Sequence, residues 1–70
     1  MSADGLSLEK RGPIVFLTLD RPGGRNAINA ALLRGLADAC EAIAADIEVR
    51  AVVLTAAGDV FSSGWDWEDL

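Results

Sequence analysis

The sequence predicts an α/β fold in which a β-hairpin is followed by a helix and then by a buried parallel strand. Three observations predict it. Two apolar stretches flank a Gly-Pro break near the N-terminus, an Ala- and Leu-rich stretch has helical spacing, and the run "AVVLTA" is short, branched and almost wholly apolar. Strands that alternate with a helix in this way are typical of α/β domains.

The hairpin is predicted for the stretch "LSLEKRGPIVFLTL". Leu6, Leu8 and Lys10 alternate with their neighbours, Gly12 and the proline after it break the run, and residues 14–19 are β-branched, aromatic or apolar. The stretch "DRPGGRN" follows, and its proline and two glycines predict a loop without regular structure. Such a loop lets the backbone approach another molecule closely.

The helix is predicted for residues 30–45, with Asn29 as its N-cap. Its apolar side chains recur with the spacing of a single helical face. That face is formed by Leu32, Leu36, Ala39, Cys40 and Ile43. Cys40 is therefore expected to be a small core residue and not a reactive thiol.

The strand at residues 51–56 has the composition of a strand that is buried on both faces of a parallel sheet. Gly58 and Asp59 then turn the chain into "VFSSGWDWEDL", in which a new helix is expected to start near Asp66. The chain supplies one full helix, so one face of this strand would stay bare. Residues 1–70 are therefore interpreted as the incomplete, N-terminal part of a larger α/β domain.

Composition excludes several partners. The net charge is −5 and the six basic residues are spread along the chain, so nucleic acid is not an expected partner. No apolar run approaches the roughly 20 residues that span a bilayer. The single cysteine cannot form an internal disulfide, and no leader pattern is seen at the N-terminus. A soluble, cytoplasmic protein is predicted.

Two motifs at a matching separation resemble one family. The first is "FLTLDRPGGRNAIN", a strand followed by Arg-Pro and Asn-Ala, and the second is "VRAVVLTAAGDVFSSGWDWEDL", a buried strand followed by a Gly-x-x-Phe turn and a Phe-x-x-Gly-x-Asp loop. The chain resembles the N-terminal part of the enoyl-CoA hydratase/isomerase (crotonase) superfamily from Leu6 onward. The resemblance implies the ββα spiral fold that this superfamily shares with ClpP.

The resemblance also implies a site for acyl-CoA thioesters. The backbone N–H of Trp65 would be one of two donors of an oxyanion hole, with Gly64 permitting close approach and the following helix favouring negative charge. Arg25, Ala27, Ser63, Gly64 and Asp66 would bind the CoA part of the substrate, and Arg25 could attract its phosphates. No metal and no separate cofactor are implied, since coenzyme A belongs to the substrate.

The family usually has a small residue at the position of Trp65, so the indole ring is expected to shape the acyl pocket. The second oxyanion glycine and the acid/base carboxylates are implied to lie after residue 70, so the 70-residue chain alone is expected to be inactive. Hydration, isomerisation, decarboxylation, dehalogenation and thioester hydrolysis all stay open. Full-length members are implied to form trimers or hexamers.

Other interpretations of the same residues are weaker. Ser62 and Ser63 are expected to be small loop residues, because a chain without histidine cannot build a Ser-His-Asp triad. The acids near the end lack the spacing of a calcium loop and fit the first turn of a helix better. "PGGR" lacks the Gly-Lys-Ser/Thr ending of a phosphate loop. Trp67 is expected to pack, and Glu41 and Glu48 to be solvated.

Two functions from different classes remain. The first is an enzyme of the enoyl-CoA hydratase/isomerase family that binds acyl-CoA at the loop containing Trp65. The alternative is a non-catalytic module for CoA binding or assembly that uses the same fragment of the fold and its exposed sheet face.

Overall fold

The computed structural model describes residues 2–3 and 5–69, so the end of the predicted closing segment, Leu70, lies outside it. It contains a four-stranded sheet, one α-helix and two short 3-10 turns. The strands are β1 (Ser2–Ala3), β2 (Leu6–Arg11), β3 (Ile14–Leu19) and β4 (Ala51–Ala56), in that spatial order, and the helix is α1 (Ala30–Ala45).

The predicted hairpin is confirmed. Strands β2 and β3 pair antiparallel from Leu6 opposite Leu19 to Arg11 opposite Ile14. Gly12, at the turn, has a φ of 58°, a left-handed conformation that glycine adopts without steric cost. Burial alternates along β3, as expected for a strand with one face toward a core. Strand β1 pairs antiparallel with β2 and was not predicted.

The predicted helix is also confirmed with the same bounds. The side chain of Asn29 accepts a hydrogen bond of 2.8 Å from the Leu32 N–H and so caps the helix. Leu32 is completely buried and Ala39 nearly so, and both join the core formed by Leu6 and the inward face of β3. Among the described residues, no helix has the length and apolarity needed to cross a membrane.

Three members of the predicted apolar face are less buried than Leu32. Leu36 and Ile43 are only partly buried against the core, which fits the edge of the stripe. Cys40 is exposed, so its prediction as a core residue is wrong. The reason is the placement of α1: its buried side chains, Leu32 and Ala39, meet side chains of β2 and β3, whereas Cys40 is not part of that cluster.

Strand β4 pairs in parallel with β3 over its whole length, from Ala51 opposite Ile14 to Ala56 opposite Leu19. The parallel strand and a bare face on it were predicted, but the expected burial of its other face is wrong for this chain. Val52, Val53 and Leu54 are exposed, and β4 lies at one edge of the sheet that the described residues form. The sequence of β4 is that of an interior strand, whereas its place here is that of an edge strand.

A charged cluster ties the hairpin to the end of α1. The Lys10 ammonium lies 2.8 Å from Asp46 Oδ2 and 3.2 Å from Glu48 Oε1. The hydrogen bond from Lys10, followed by that from the Glu48 N–H, lowers the pKa of Asp46 below its ordinary value of 3.8. Glu48 is exposed, as expected, but it also pairs with Lys10. A cation at this position also faces the negative end of the helix.

Both loop predictions need correction in detail. Residues Pro22–Gly24 of the "DRPGGRN" loop form a short 3-10 turn in which Gly24 N bonds to Arg21 O at 3.0 Å. The helix expected near Asp66 is a single 3-10 turn at Trp67–Asp69 within the described residues. Asp66 does cap that turn, since its Oδ1 accepts a hydrogen bond of 3.1 Å from the Glu68 N–H.

Candidate functional site

Two loops that lie far apart in the sequence meet at one short parallel bridge. Ile28 N–H donates to the Gly64 carbonyl at 2.8 Å, and Asp66 N–H donates to the Ile28 carbonyl at 2.7 Å. These two bonds pair Ile28 with Trp65. A third bond, of 3.0 Å, runs from Ser63 N–H to the Arg25 carbonyl. The loop after β3 therefore holds the loop after β4 through backbone bonds.

This bridge fixes the direction of the Trp65 N–H. The Gly64 carbonyl and the Trp65 N–H belong to the same peptide unit, and no cis peptide is present among the described residues. In a trans unit these two groups point in opposite directions. Because the Gly64 carbonyl points at Ile28, the Trp65 N–H points away from it. No described residue accepts a hydrogen bond from that N–H.

Gly64 has the backbone conformation that the bridge requires. Its φ is +96°, a value that side-chain-bearing residues rarely adopt. Its N–H donates to Ser62 Oγ at 3.1 Å, and the Ser62 hydroxyl donates to the Asn26 carbonyl at 2.9 Å. The hydroxyl of Ser62 thus closes the turn against the neighbouring loop. This supports the interpretation of Ser62 as a loop residue and not as a nucleophile.

Asn26 is the buried polar centre of this arrangement, with only 1% of its surface exposed. Its Nδ2 donates to the carbonyls of Ala57 and Val60, both at 2.8 Å, and its Oδ1 accepts from the Arg21 N–H at 2.6 Å. Its φ of 54° lies in the left-handed region, which asparagine tolerates better than most residues. Sequence reasoning used Asn26 only as part of the Asn-Ala motif and missed this role.

Arg21 is the second residue that sequence reasoning missed. Its Nη1 donates to the Ala27 carbonyl at 2.5 Å, and its Nη2 lies 3.4 Å from Asp66 Oδ2. Both side chains of this ion pair are about a quarter exposed. The guanidinium therefore reaches both strands of the Ile28 and Trp65 bridge. The Arg-Pro motif marked the residue, but spacing alone gave no sign of its partners.

A cleft of about 390 Å³ opens beside the bridge. It brings together four of the predicted site residues, namely Ala27, Ser63, Trp65 and Asp66. Four further residues line it that were not predicted as site residues: Arg21, Gly24, Trp67 and Glu68. Gly64 lies between two lining residues and contributes through its backbone. The cleft is thus formed by both motifs together.

The two indole rings differ in exposure. Trp65 is 37% exposed and borders the cleft. Trp67 is 79% exposed, so its prediction as a packing residue is wrong for this chain. Trp67 is the first residue of the 3-10 turn, and no described residue covers its indole ring.

Arg25 lies apart from the cleft. It is exposed and lines a second cavity, of about 440 Å³, together with Asn26 and residues 57–60. Its φ of 58° lies in the left-handed region, and its carbonyl accepts a hydrogen bond from the Ser63 N–H. The structure therefore does not bring Arg25 together with the other predicted site residues in one cavity.

The electrostatics of the site differ from the sequence prediction in one respect. The dipole of a helix after Trp65 was expected to favour negative charge, but a 3-10 turn of three residues provides little of it. Asp66 is bonded to Arg21 and to the Glu68 N–H. Among the described side chains, no group of three or more acids or cysteines could hold a metal ion.

The family model for enoyl-CoA hydratase/isomerase matches residues 9–70. The chain belongs to this family. It is 39% identical, over all of its 70 residues, to a probable enoyl-CoA hydratase of Rhizobium meliloti strain 1021, of which it covers 27%. It is 40% identical over 57 residues to the mitochondrial Delta(3,5)-Delta(2,4)-dienoyl-CoA isomerase of Mus musculus; this match covers 81% of the chain and 17% of the isomerase.

Solved structures show the same fold. The enoyl-CoA hydratase/isomerase from Pseudoalteromonas atlantica T6c superposes with a TM-score of 0.89 at 40% identity, over 93% of this chain and 26% of that one. The predicted family and its crotonase fold are therefore confirmed. The chain spans about a quarter of the length of the Rhizobium and Pseudoalteromonas proteins, and 17% of the mouse isomerase.

Proposed function

We propose that these residues form the first half of an acyl-CoA site, in which the Trp65 N–H stabilises negative charge on the thioester oxygen. The direction of that N–H carries the proposal. The N–H points away from Ile28 and has no acceptor among the described residues. One backbone hydrogen bond on each side of Trp65, at the Gly64 carbonyl and at the Asp66 N–H, holds it in place. A donor fixed in advance costs no reorganisation when charge develops, which is why such donors accelerate acyl chemistry.

The CoA portion of the substrate would be held by the surrounding loop residues. Ala27, Ser63 and Asp66 line the cleft next to Trp65, and Gly64 lets the substrate approach the backbone. Arg25 borders the neighbouring cavity with an exposed guanidinium, where it could meet a CoA phosphate. The indole ring of Trp65 would form a wall of the acyl pocket and limit the acyl groups that fit.

The names of the relatives support hydration and double-bond isomerisation equally. One relative is a hydratase and another is an isomerase, at 39% and 40% identity. Both reactions need an oxyanion donor, and they differ in their acid/base groups. We propose the shared half-reaction, stabilisation of the thioester oxyanion, and no single overall reaction.

The chain by itself is expected not to turn over acyl-CoA. Loss of one oxyanion donor costs roughly 100- to 1,000-fold in rate, and loss of the acid/base groups adds factors of roughly 100 to 10,000. Detectable hydration of a short enoyl-CoA by the pure 70-residue chain would contradict this expectation. The trimeric or hexameric assembly and the cytoplasmic location stay predictions.

The deciding experiment is a crystal structure of the full polypeptide that contains this chain, soaked with an acyl-CoA. We expect the thioester oxygen to lie about 2.7–3.1 Å from the Trp65 nitrogen, the range for an oxyanion-hole donor. The same pose should place the CoA chain along Ala27, Ser63 and Gly64. A thioester oxygen that points elsewhere would refute the proposal.

The alternative, a non-catalytic binding or assembly module, is favoured by one observation. Val52, Val53 and Leu54 are exposed on β4, which suits a partner surface. The coding sequence after Leu70 separates the two functions. A continuation that carries a second glycine loop and carboxylates supports the enzyme, and a stop codon supports the module.

A further inference from the structure

We propose that Arg21 is a positioning residue for the Trp65 N–H. Its guanidinium clamps the two loops whose pairing sets the direction of that N–H, and this role requires no contact with the thioester. This proposal rests on the proposed function for its effect on catalysis, whereas the clamp itself can be tested without any substrate.

The geometry of the clamp comes from the planar fork of arginine. One arm, Nη1, donates to the carbonyl of Ala27, the residue before Ile28. The other arm, Nη2, pairs with the carboxylate of Asp66, the residue after Trp65. The two arms therefore hold one residue from each strand of the bridge. A lysine, with its single compact ammonium, lacks this fixed two-armed shape.

The backbone of Arg21 adds a second attachment. Its N–H donates to Asn26 Oδ1 at 2.6 Å, and its carbonyl accepts from Asn26 N–H at 2.8 Å. The backbone from which the Arg21 side chain starts is thereby bonded to the buried Asn26. An ideal Cβ placed on Gly5 would collide with the stem of Arg21, so the neighbouring turn also confines the side chain.

The clamp is expected to prevent small displacements of the Trp65 N–H. The Ile28 and Trp65 bridge consists of two hydrogen bonds in a loop region. A bridge of this size opens readily unless other contacts hold it closed. Charge-assisted bonds from one guanidinium to both sides would oppose that opening. Catalysis is sensitive to such opening, since a misplacement of about 1 Å can cost about 100-fold.

The test uses Arg21→Met in the full polypeptide, with Arg11→Met as the matched control. Arg11 also pairs with a carboxylate, that of Glu9, but on the exposed hairpin. We expect Arg21→Met to increase the hydrogen-exchange rates of the Ile28 and Asp66 N–H groups by about 10- to 100-fold, the effect of losing a charge-assisted bond. Arg11→Met should leave both rates unchanged.

The measurements of catalysis must distinguish a positioning role of Arg21 from a merely structural one. We expect kcat for a short enoyl-CoA, normalised to folded protein, to fall about 10- to 100-fold in Arg21→Met while KM stays within about twofold. The infrared band of the bound thioester carbonyl should shift back toward that of the free ester. Arg21→Lys should restore kcat only in part. A fold-wide defect would not move the carbonyl band.

Each outcome decides one of the two proposals. If wild-type protein processes acyl-CoA and Arg21→Met matches it in kcat and carbonyl band, the positioning role is overturned. If the wild type neither binds nor processes acyl-CoA, the proposed function fails, and unchanged exchange rates would then also overturn the clamp. If Arg21→Met does not fold, Asp66→Asn replaces it, and exchange and kcat like those of the wild type would refute the clamp.

Discussion

The side-chain amide of Asn26 lies 2.8 Å from the carbonyl oxygen of Ala57, although 31 positions separate the two residues in the chain. The same amide group bonds to the Val60 carbonyl at 2.8 Å. A buried donor that satisfies two carbonyls joins the loop after β3 to the loop after β4 more strongly than packing alone would. The two loops that form the proposed half-site are therefore joined by a buried polar contact.

Asn26→Asp tests this contact with little change of shape. The aspartate carboxylate would place an oxygen against the Ala57 and Val60 carbonyls, and both would lose their donor. Because aspartate tolerates the left-handed backbone of this position, the change isolates the hydrogen bonds. We expect the free energy of unfolding of the full polypeptide to fall by at least about 1–3 kcal/mol, measured by urea unfolding.

Asn29→Asp is the matched control for that substitution. Within the part of the chain that the structure describes, the Asn29 side chain uses only its oxygen, which accepts from the Leu32 N–H at the start of α1. An aspartate keeps this cap, and its negative charge near the helix N-terminus adds roughly 0.3–1 kcal/mol of stability. A similar loss in both variants would show that a new negative charge, and not the lost amide donor, destabilises the protein.

Regular structure was predicted well because its signals are local. The cap at Asn29, the helical spacing that includes Leu32 and the Gly12 turn each act within a few residues, and each appears where expected. The contacts of Arg21 and Asn26 were missed because their partners lie up to 45 positions away. The motifs located those residues, but a pattern of residue types contains no information on which carbonyl a side chain meets.

Exposure was predicted poorly for a related reason. Trp67 and Cys40 have residue types that are usually buried, but burial depends on what covers them. The exposed side of β4 shows the same dependence, since its sequence is that of an interior strand. No described residue covers these side chains, so residue type and exposure disagree at these positions.

Lys10→Met is expected to raise the pKa of Asp46 toward 3.8. The Lys10 ammonium is the largest cause of the lowered pKa, and the Glu48 N–H is the next. A lowered folded-state pKa contributes stability above about pH 3.8, and that contribution is lost as the pH falls through the folded value. The carboxyl carbon shift of Asp46, followed by NMR across the acid range, measures the change.

Arg11→Met serves as the control for Lys10→Met. It removes a cation from the neighbouring position of β2, whose partner is Glu9 and not Asp46. The pKa of Asp46 should then stay low. An equal rise in both variants would mean that the general positive charge of the hairpin, and not the Lys10 hydrogen bond, lowers it. On the alkaline side, the hydrogen bonds to Asp46 and Glu48 raise the pKa of Lys10 above 10.5. This raised pKa contributes to the stability of the fold; the contribution is complete below pH 10.5 and is lost as the pH rises through the raised pKa.

Gly64→Ala is expected to destabilise the turn before Trp65 by roughly 1 kcal/mol or more. The φ of +96° at Gly64 is strained for any residue with a Cβ, and nothing lies within 4 Å of an ideal Cβ there. The cost is therefore conformational and not a clash. Urea unfolding of the full polypeptide measures it, and the Ser63 N–H, which bonds to Arg25, should exchange faster.

Gly23→Ala is the control for Gly64→Ala. Gly23 also has open space around an ideal Cβ, but its φ lies outside the left-handed region. Replacement there should be neutral or stabilising by up to about 1 kcal/mol, because alanine restricts the unfolded chain. If both variants lost the same stability, the left-handed backbone of Gly64 would not be the cause.

The isolated 70-residue chain is expected to self-associate or to be only partly ordered. Strand β4 exposes Val52, Val53 and Leu54 at an edge of the described sheet, and such an edge pairs readily with other chains. Val53→Lys should reduce the association seen in sedimentation velocity. Leu33→Lys makes the same kind of change on exposed helix surface and should reduce it less. A cooperative thermal melt that is independent of concentration would show instead that the chain folds as a stable monomer.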